Sequence, residues 1–276
     1  MTKKPVIVIT TGDPQGIGEE ITKKALRDPK VRSIADFIVI TPEDGIGLDA
    51  VRKAVAILKQ KKADALVTAP LNKTKVNKAG IPFTGHTEYI AALTKTRKYA
   101  MMFYSKELKV TLVTRHVPLK QVPSSIKKDD LKEAILLTNS VLKERFKIRK
   151  PRIGVSGLNP HCGEGGVIGD EERTVISPVI KSLRKKIPLI AGPIPGDIIF
   201  NMAYRKKLDA VISMYHDQAL APFKMLAFER GVNVTLGLPF VRTSPDHGTA
   251  YDIAGKGMAD PGSMKEAIRL ASFLSK

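Results

Sequence analysis

Short apolar runs alternate with amphipathic stretches along almost the whole chain, the pattern of strands and helices taken in turn. Residues 6–10 (Val-Ile-Val-Ile-Thr) are apolar almost throughout, which suits a strand buried on both faces. A glycine-rich turn follows, and residues 17–26 then read as a helix with Glu19 and Glu20 in its first turn, where the helix dipole favours acids. Strands are predicted at 37–40 and 65–68, on either side of a helix over 48–61 that carries Val51, Val55, Ile57 and Leu58 along one side. The theme repeats with strands at 100–104, 108–114 and 152–156, a long helix over 128–146 and another over 171–185. Beyond a short strand near Leu189 come a helix over 197–206, strands at 210–214 and 232–236, a helix opening near Thr249 and a last helix over 263–274. No low-complexity linker and no internal repeat divides the chain. The expectation is an α/β protein of two lobes built from discontinuous segments.

Composition narrows the field. A chain of 276 residues with 43% hydrophobic and 26% charged residues can bury a substantial core. The single cysteine, Cys162, excludes an internal disulfide and fits a reducing cytosol. The apolar start is too short for a signal peptide and runs straight into Gly12-Asp13-Pro14, and no stretch is long enough to cross a bilayer. A cytoplasmic protein without a membrane partner is expected. The formal charge of +19 could serve nucleic acid, but its lysines lie at ordinary helix-surface positions. With 5% aromatic residues and no tryptophan, stacking platforms for single strands are poorly supplied. Nucleic acid is therefore not the expected partner; a basic surface would also draw in small anions.

Chemistry concentrates at the predicted strand ends. His116, His161 and His216 each follow such a strand, and in open α/β sheets ligands bind beyond the carboxyl ends of the strands. Three imidazoles that leave coordination positions open describe a catalytic divalent-metal site, with Asp197 and Asp217 as nearby carboxylates for ligation or for orienting a ring. The turn over 11–20 (Thr-Gly-Asp-Pro-Gln-Gly-Ile-Gly-Glu-Glu) resembles an anion-binding loop, yet it is neither the G-x-G-x-x-G fingerprint nor a P-loop, and a structural turn reads equally well. His86 and Thr87, in Gly85-His-Thr-Glu88, could donate to a phosphate or begin a helix. Lys224, Asn233 and Arg242 could bind a carboxylate or phosphate, or flank a buried strand as surface charge. The turn from Asp246 to Pro261 could rest a phosphate-bearing cofactor on its backbone N–H groups, or cap a helix.

Taken in order, Gly-His-Thr-Glu, Arg-His-Val-Pro-Leu, Gly-Leu-Asn-Pro-His-Cys-Gly-Glu, Tyr-His-Asp-Gln and Arg-Thr-Ser-Pro-Asp-His-Gly-Thr-Ala resemble the 4-hydroxythreonine-4-phosphate dehydrogenase family over nearly the whole chain. The opening and closing turns are also similar to those of the isocitrate and isopropylmalate dehydrogenases. The resemblance implies their two-lobed α/β/α fold with the active site in the interlobe cleft. One lobe would comprise residues 1–95 plus 237–276, the other 96–236 with the metal site and a dimer interface. It implies metal-dependent oxidation of 4-phosphohydroxy-L-threonine by NAD or NADP, decarboxylation to 3-amino-2-oxopropyl phosphate, and a place in pyridoxal phosphate biosynthesis. It assigns the metal (zinc, magnesium, manganese or cobalt) to His116, His161 and His216, and substrate to His86, Thr87, Lys224, Asn233 and Arg242. Gly12, Asp13, His247, Gly248, Thr249, Ala250 and Asp260 would hold the cofactor, Lys224 or Asp217 would be the catalytic base, and a homodimer would share its active sites. The chain departs from the family in a shortened stretch between Phe37 and Ala65, in Asp13 where glutamate is common, and in Cys162 where alanine is usual. These departures leave open a branch acting on another phosphorylated hydroxy acid, such as erythronate or threonate 4-phosphate. The remote alternative is a nucleic-acid-binding protein on an inactive dehydrogenase fold.

Overall fold

The computed structural model describes residues 3–276, which divide into two compact units: the segments up to Arg97 and from Glu229 form the first, and Lys98–Phe228 the second. The first unit begins with β1 (Val6–Thr10), α1 (Gly18–Arg27), α2 (Pro29–Arg32), β2 (Asp36–Ile40), α3 (Leu48–Lys59) and β3 (Ala65–Thr68), followed by α4 (Lys73–Lys78) and α5 (His86–Leu93). The second contains β4 (Ala100–Tyr104), β5 (Lys109–Leu112), α6 (Val122–Ser125), α7 (Lys128–Glu144), β6 (Ile153–Ser156) and α8 (Ser177–Leu183). It continues with β7 (Ile190–Ile194), α9 (Gly196–Tyr204), β8 (Ala210–Ser213) and α10 (His216–Ala227). The chain returns to the first unit as β9 (Val232–Leu236), β10 (Val241–Pro245) and α11 (Gly262–Leu274).

In the first unit the strand order is β2-β1-β3-β10-β9, parallel except for the antiparallel β10–β9 pair. Val8 and Leu66 on one face pack against Val51, Ala54, Val55 and Leu58, the apolar stripe that periodicity located on α3. Helix α11 packs on β3, β9 and β10. The second unit has the order β4-β5-β8-β6-β7, with β4–β5 antiparallel and the remaining pairs parallel. One cluster joins Ile153, Val155 and Ile212 to α7 and α8, while another joins Val110 and Val211 to α9 and α10. Layers of helix on both faces explain why these strands read as continuous apolar runs.

Three features differ from the reading of the chain alone. β9 pairs with β10 in the first unit, so the first unit extends upstream of residue 237. β10 (Val-Arg-Thr-Ser-Pro) escapes a hydrophobicity pattern because its buried residues are mostly polar. The helix expected near Thr249 does not form. Ala250, Gly255 and Gly257 take left-handed backbone angles there, which an α-helix cannot accommodate, and residues 251–257 wind as successive turns. No helix among the described residues is long and apolar enough to cross a membrane.

Candidate functional site

Strand register brings a set of polar side chains onto one sheet face of the first unit. Thr10 is level with Thr68, Arg242 is level with Leu66 and lies opposite Thr235, and side chains two residues apart share a face. Thr10, Thr68, Arg242, Thr235 and Asn233 therefore point the same way. Arg242 is 3% exposed, and its guanidinium donates to Thr68 Oγ1 at 2.6 Å, Thr235 Oγ1 at 3.1 Å and Thr87 Oγ1 at 3.5 Å. Among the described residues no carboxylate forms an ion pair with it. Burial lowers its pKa to about 10 against the opposing charge of Glu88, so it remains a cation at neutral pH.

The neighbouring groups are short of partners too. Arg242 Nε, His86 Nε2, Asn233 Oδ1 and Thr10 Oγ1 are all buried without a hydrogen bond. His86 opens α5, with its ring edge-on to Phe83 at 5.9 Å. Burial, with the positive charges of Arg242 and Lys73, holds its pKa well below the ordinary value, so the ring is neutral. Lys73 stands at the start of α4, and a Cβ built on Gly85 would lie 3.9 Å from its Nζ. A buried cation with an open Nε–H and no ion-paired carboxylate is the electrostatic signature of an anion site. Sequence reasoning picked out His86, Thr87, Asn233 and Arg242 but passed over Lys73, Thr68 and Thr235. The strand alternation that puts Thr68 and Thr235 beside Arg242 becomes informative only once the register is known.

The opening turn and the 247–260 turn, also in the first unit, are stitched together. Gly12 has φ 74°, and a side chain there would collide with the Pro70 carbonyl oxygen. Asp13 is buried and fully committed: Oδ1 accepts from Gln15 N–H and Lys75 Nζ, both at 2.9 Å, and Oδ2 accepts the Tyr251 hydroxyl at 2.6 Å. Burial pushes its pKa up, but the hydrogen bonds from Tyr251, Gln15 and Lys75 outweigh it and hold the carboxyl below its ordinary value. Ile17 N–H donates to the Thr249 carbonyl, and Lys24 Nζ to the Gly257 and Ala259 carbonyls. Ala250 has φ 44°, Gly248 has open space around it, and His247 holds Nδ1 3.0 Å from the Gly248 carbonyl while its Nε2 is buried and unpartnered. Asp260 caps the start of α11 through Gly262 N–H. Beside this turn opens a cavity of about 570 Å³, lined by Gln15, Gly16, Lys23, Gly255 and Gly257 among others.

The second unit carries the histidine trio. His216 opens α10 directly after β8, and its Nδ1 lies 2.7 Å from Asp217 Oδ1, a contact of the kind that fixes a ring and leaves Nε2 for a cation. The His116 ring lies beside it, with centroids 5.6 Å apart and planes tilted by 45°. His161 does not join them in this arrangement. It stands on a turn in which residues 161–165 all have positive φ, with Nδ1 3.2 Å from Glu164 Oε1. Among the described residues no three His, Cys, Asp or Glu side chains form a cluster able to hold a metal ion. The donor chemistry of the His116–His216 pair suits a divalent cation, and two imidazoles are one fewer than the three protein ligands of a usual catalytic site. Lys224 lies seven residues after Asp217 on α10, hence on a similar helix face, with its Nζ 5.6 Å from the Phe228 ring centroid. Asp197, in the first turn of α9, is not part of any such cluster.

Two units of parallel-rich sheet covered by helices define an enzyme fold of the isocitrate dehydrogenase type. The chain is similar to isocitrate dehydrogenase from Methylococcus capsulatus with a TM-score of 0.55 at 14% identity, over 97% of this chain and 83% of that one. The family is more specific. The family described as "Pyridoxal phosphate biosynthetic protein PdxA" matches residues 20–271, and the chain belongs to it. It is 39% identical to the 4-hydroxythreonine-4-phosphate dehydrogenase of Sulfurihydrogenibium sp. (strain YO3AOP1), over 98% of both chains. It is also similar to the crystal structure of 4-hydroxythreonine-4-phosphate dehydrogenase from Klebsiella pneumoniae, with a TM-score of 0.88 and 33% identity over 100% of this chain and 99% of that one. The alignment with the Sulfurihydrogenibium enzyme runs over 318 positions against the 276 residues of this chain, so that enzyme carries segments that this chain lacks.

Proposed function

We propose that the chain is an NAD(P)-dependent 4-hydroxythreonine-4-phosphate dehydrogenase. It would oxidise the secondary alcohol of 4-phosphohydroxy-L-threonine and release carbon dioxide to leave 3-amino-2-oxopropyl phosphate, in pyridoxal phosphate biosynthesis in the cytoplasm. The observation that carries this reading is the buried Arg242, which has no carboxylate in an ion pair with it and whose Nε–H is unpartnered, together with neutral His86. Such a group is stabilised by an incoming anion and suits the phosphate of the substrate.

Arg242, His86, Thr87 and Asn233 hold the phosphate end and so orient the C–H bond that breaks. His116, His216 and His161 would hold a divalent cation of the zinc, magnesium, manganese or cobalt class. That cation, when bound, acidifies the substrate hydroxyl and polarises the ketone formed from it. Asp217 is engaged with His216 and orients its ring, which leaves Lys224 as the residue to take the hydroxyl proton. The turn from His247 to Asp260, with the cavity beside it, would hold the adenosine end of NAD or NADP, whose nicotinamide would serve as the hydride acceptor. Gly12, Thr249 and Ala250 shape that turn through their backbones, and Asp13 steadies it through Tyr251. Exposed apolar residues of the second unit, Leu119, Val167, Met225 and Phe228, supply surface for a homodimer with shared active sites.

The test is the rise of reduced-nicotinamide absorbance with 4-phosphohydroxy-L-threonine, using NAD and NADP in turn, with and without chelator. Turnover that chelation abolishes supports the assignment. Turnover only of erythronate or threonate 4-phosphate would move it to a neighbouring phosphorylated hydroxy acid, the branch that the shortened stretch between Phe37 and Ala65 leaves open. No turnover of any of them overturns it.

A further inference from the structure

We infer that Thr68 and Thr235 are positioning residues that hold the Arg242 guanidinium with uncharged hydroxyls, keeping its positive charge available to a phosphate-sized oxyanion. The inference rests on the reading of Arg242 as the anion holder. Buried arginines are ordinarily matched by a carboxylate, which satisfies donors and charge together. Here the two functions are separated. A guanidinium has five N–H donors, and the structure gives three contacts, all to threonine hydroxyls from β3, α5 and β9, while Nε remains unpartnered. A hydroxyl oxygen accepts a hydrogen bond but contributes no net charge. The cation is thereby fixed in orientation without being neutralised.

Strand geometry explains the choice of positions. Thr235 lies directly across the antiparallel β10–β9 pair from Arg242, and Thr68 lies two residues beyond Leu66, the residue of β3 level with Arg242. The two hydroxyls thus approach from neighbouring strands on either side of β10. The Thr87 and Thr235 hydroxyls also lie 3.3 Å apart, which links α5 to the same frame. An aspartate at either position would form an ordinary buried ion pair and occupy the charge. The unpartnered Thr10 hydroxyl and Asn233 amide oxygen lie on the same face; the charge of Glu88 is felt at Arg242, but among the described residues no carboxylate forms an ion pair with it.

Inorganic phosphate is the probe, titrated against the full-length protein while the thermal unfolding midpoint is followed. In the parent protein phosphate raises the midpoint, and Arg242→Met removes the response. Thr68→Val and Thr235→Val, equal in shape but without the hydroxyl, are each expected to weaken phosphate binding about tenfold, the scale of one hydrogen bond to a charged group. Thr68→Ser and Thr235→Ser restore most of the affinity. In turnover, the valine variants raise KM for the phosphorylated substrate by a larger factor than they lower kcat. Thr235→Asp has a phosphate-free midpoint above that of Thr235→Val and shows no phosphate response. A merely structural role for the threonines predicts lower midpoints in the valine variants with phosphate affinity unchanged. That result, with the Arg242→Met loss intact, overturns this inference alone. A parent protein that does not respond to phosphate overturns the reading of Arg242 and this inference with it.

Discussion

Glu172 holds the turn that carries His161, and replacing it with alanine should open that turn while the core beneath stays folded. The carboxylate is 4% exposed; Oε1 accepts the Leu158 and Asn159 backbone N–H groups, each at 2.7 Å, and Oε2 accepts Asn159 Nδ2 at 2.9 Å. The turn is itself strained, since His161, Cys162 and Glu164 are non-glycine residues with φ of 52°, 57° and 43°. At about 1–2 kcal/mol each, that conformation stores roughly 3–6 kcal/mol. Removing Glu172 leaves two backbone donors without an acceptor, at about 1–3 kcal/mol each and so roughly 2–6 kcal/mol together, less what water restores. The two sums are comparable, so the anchor decides whether the turn keeps its shape.

Cys162 is the only cysteine in the chain and sits half-buried in this turn, so its rate of labelling by a thiol reagent reports opening directly. A loss of about 2 kcal/mol corresponds to labelling about 30-fold faster in Glu172→Ala, with a matching loss of hydrogen-exchange protection at Leu158 and Asn159. Glu172→Gln keeps a carbonyl oxygen for both N–H groups and should label within a few-fold of the parent. Glu171→Ala removes the contacts to Asn159 Nδ2 at 2.7 Å and to the Asp170 N–H at 3.1 Å but leaves the Leu158 and Asn159 N–H groups on Glu172, so its effect should be smaller. Labelling of Glu172→Ala within twofold of the parent, with both amides still protected, would refute the reasoning.

Two further predictions concern pH. Tyr251→Phe deletes the donor to Asp13 and is expected to cost about 1–2 kcal/mol in urea unfolding at neutral pH. The folded-state pKa of Asp13 is depressed, so its contribution is present above the unfolded value near 3.9 and is lost as pH falls through the folded value. In Tyr251→Phe, where burial is opposed by fewer hydrogen bonds, that acid loss should begin at higher pH; an unchanged acid limb would contradict it. His86 is likewise depressed, so below about pH 6.5 the unfolded chain binds a proton that the folded chain does not. Stability should therefore rise with pH through this window. His86→Asn should flatten that slope, and an equal slope in both proteins would count against a neutral His86.

Much of the architecture could be read from spacing. The runs at 6–10, 65–68, 152–156 and 210–214 are apolar almost throughout because helices cover both faces of their sheets, and the α3 stripe shows its period because only one side meets the core. β10 was hidden because a strand that carries a buried arginine, threonine and serine has no hydrophobic signature. The turns at 251–257 imitated a helix start, since chain order alone does not reveal the left-handed angles at Ala250, Gly255 and Gly257.

For the site, the sequence by itself determined the chemical inventory: histidines after strands, a glycine-rich turn at each end of the first unit, and the arginine and asparagine near the last strands. Family membership followed from those motifs because their order along the chain is a property of sequence. Only tertiary structure decided how each group is used. It set Thr68 and Thr235 beside Arg242, committed Asp13 to Tyr251 and Lys75, and paired His116 with His216 while leaving His161 on Glu164. The reason is that hydrogen bonds and desolvation depend on distances of a few ångströms between residues far apart in the chain. Thr68 and Arg242 are 174 positions apart and 2.6 Å from contact atom to contact atom.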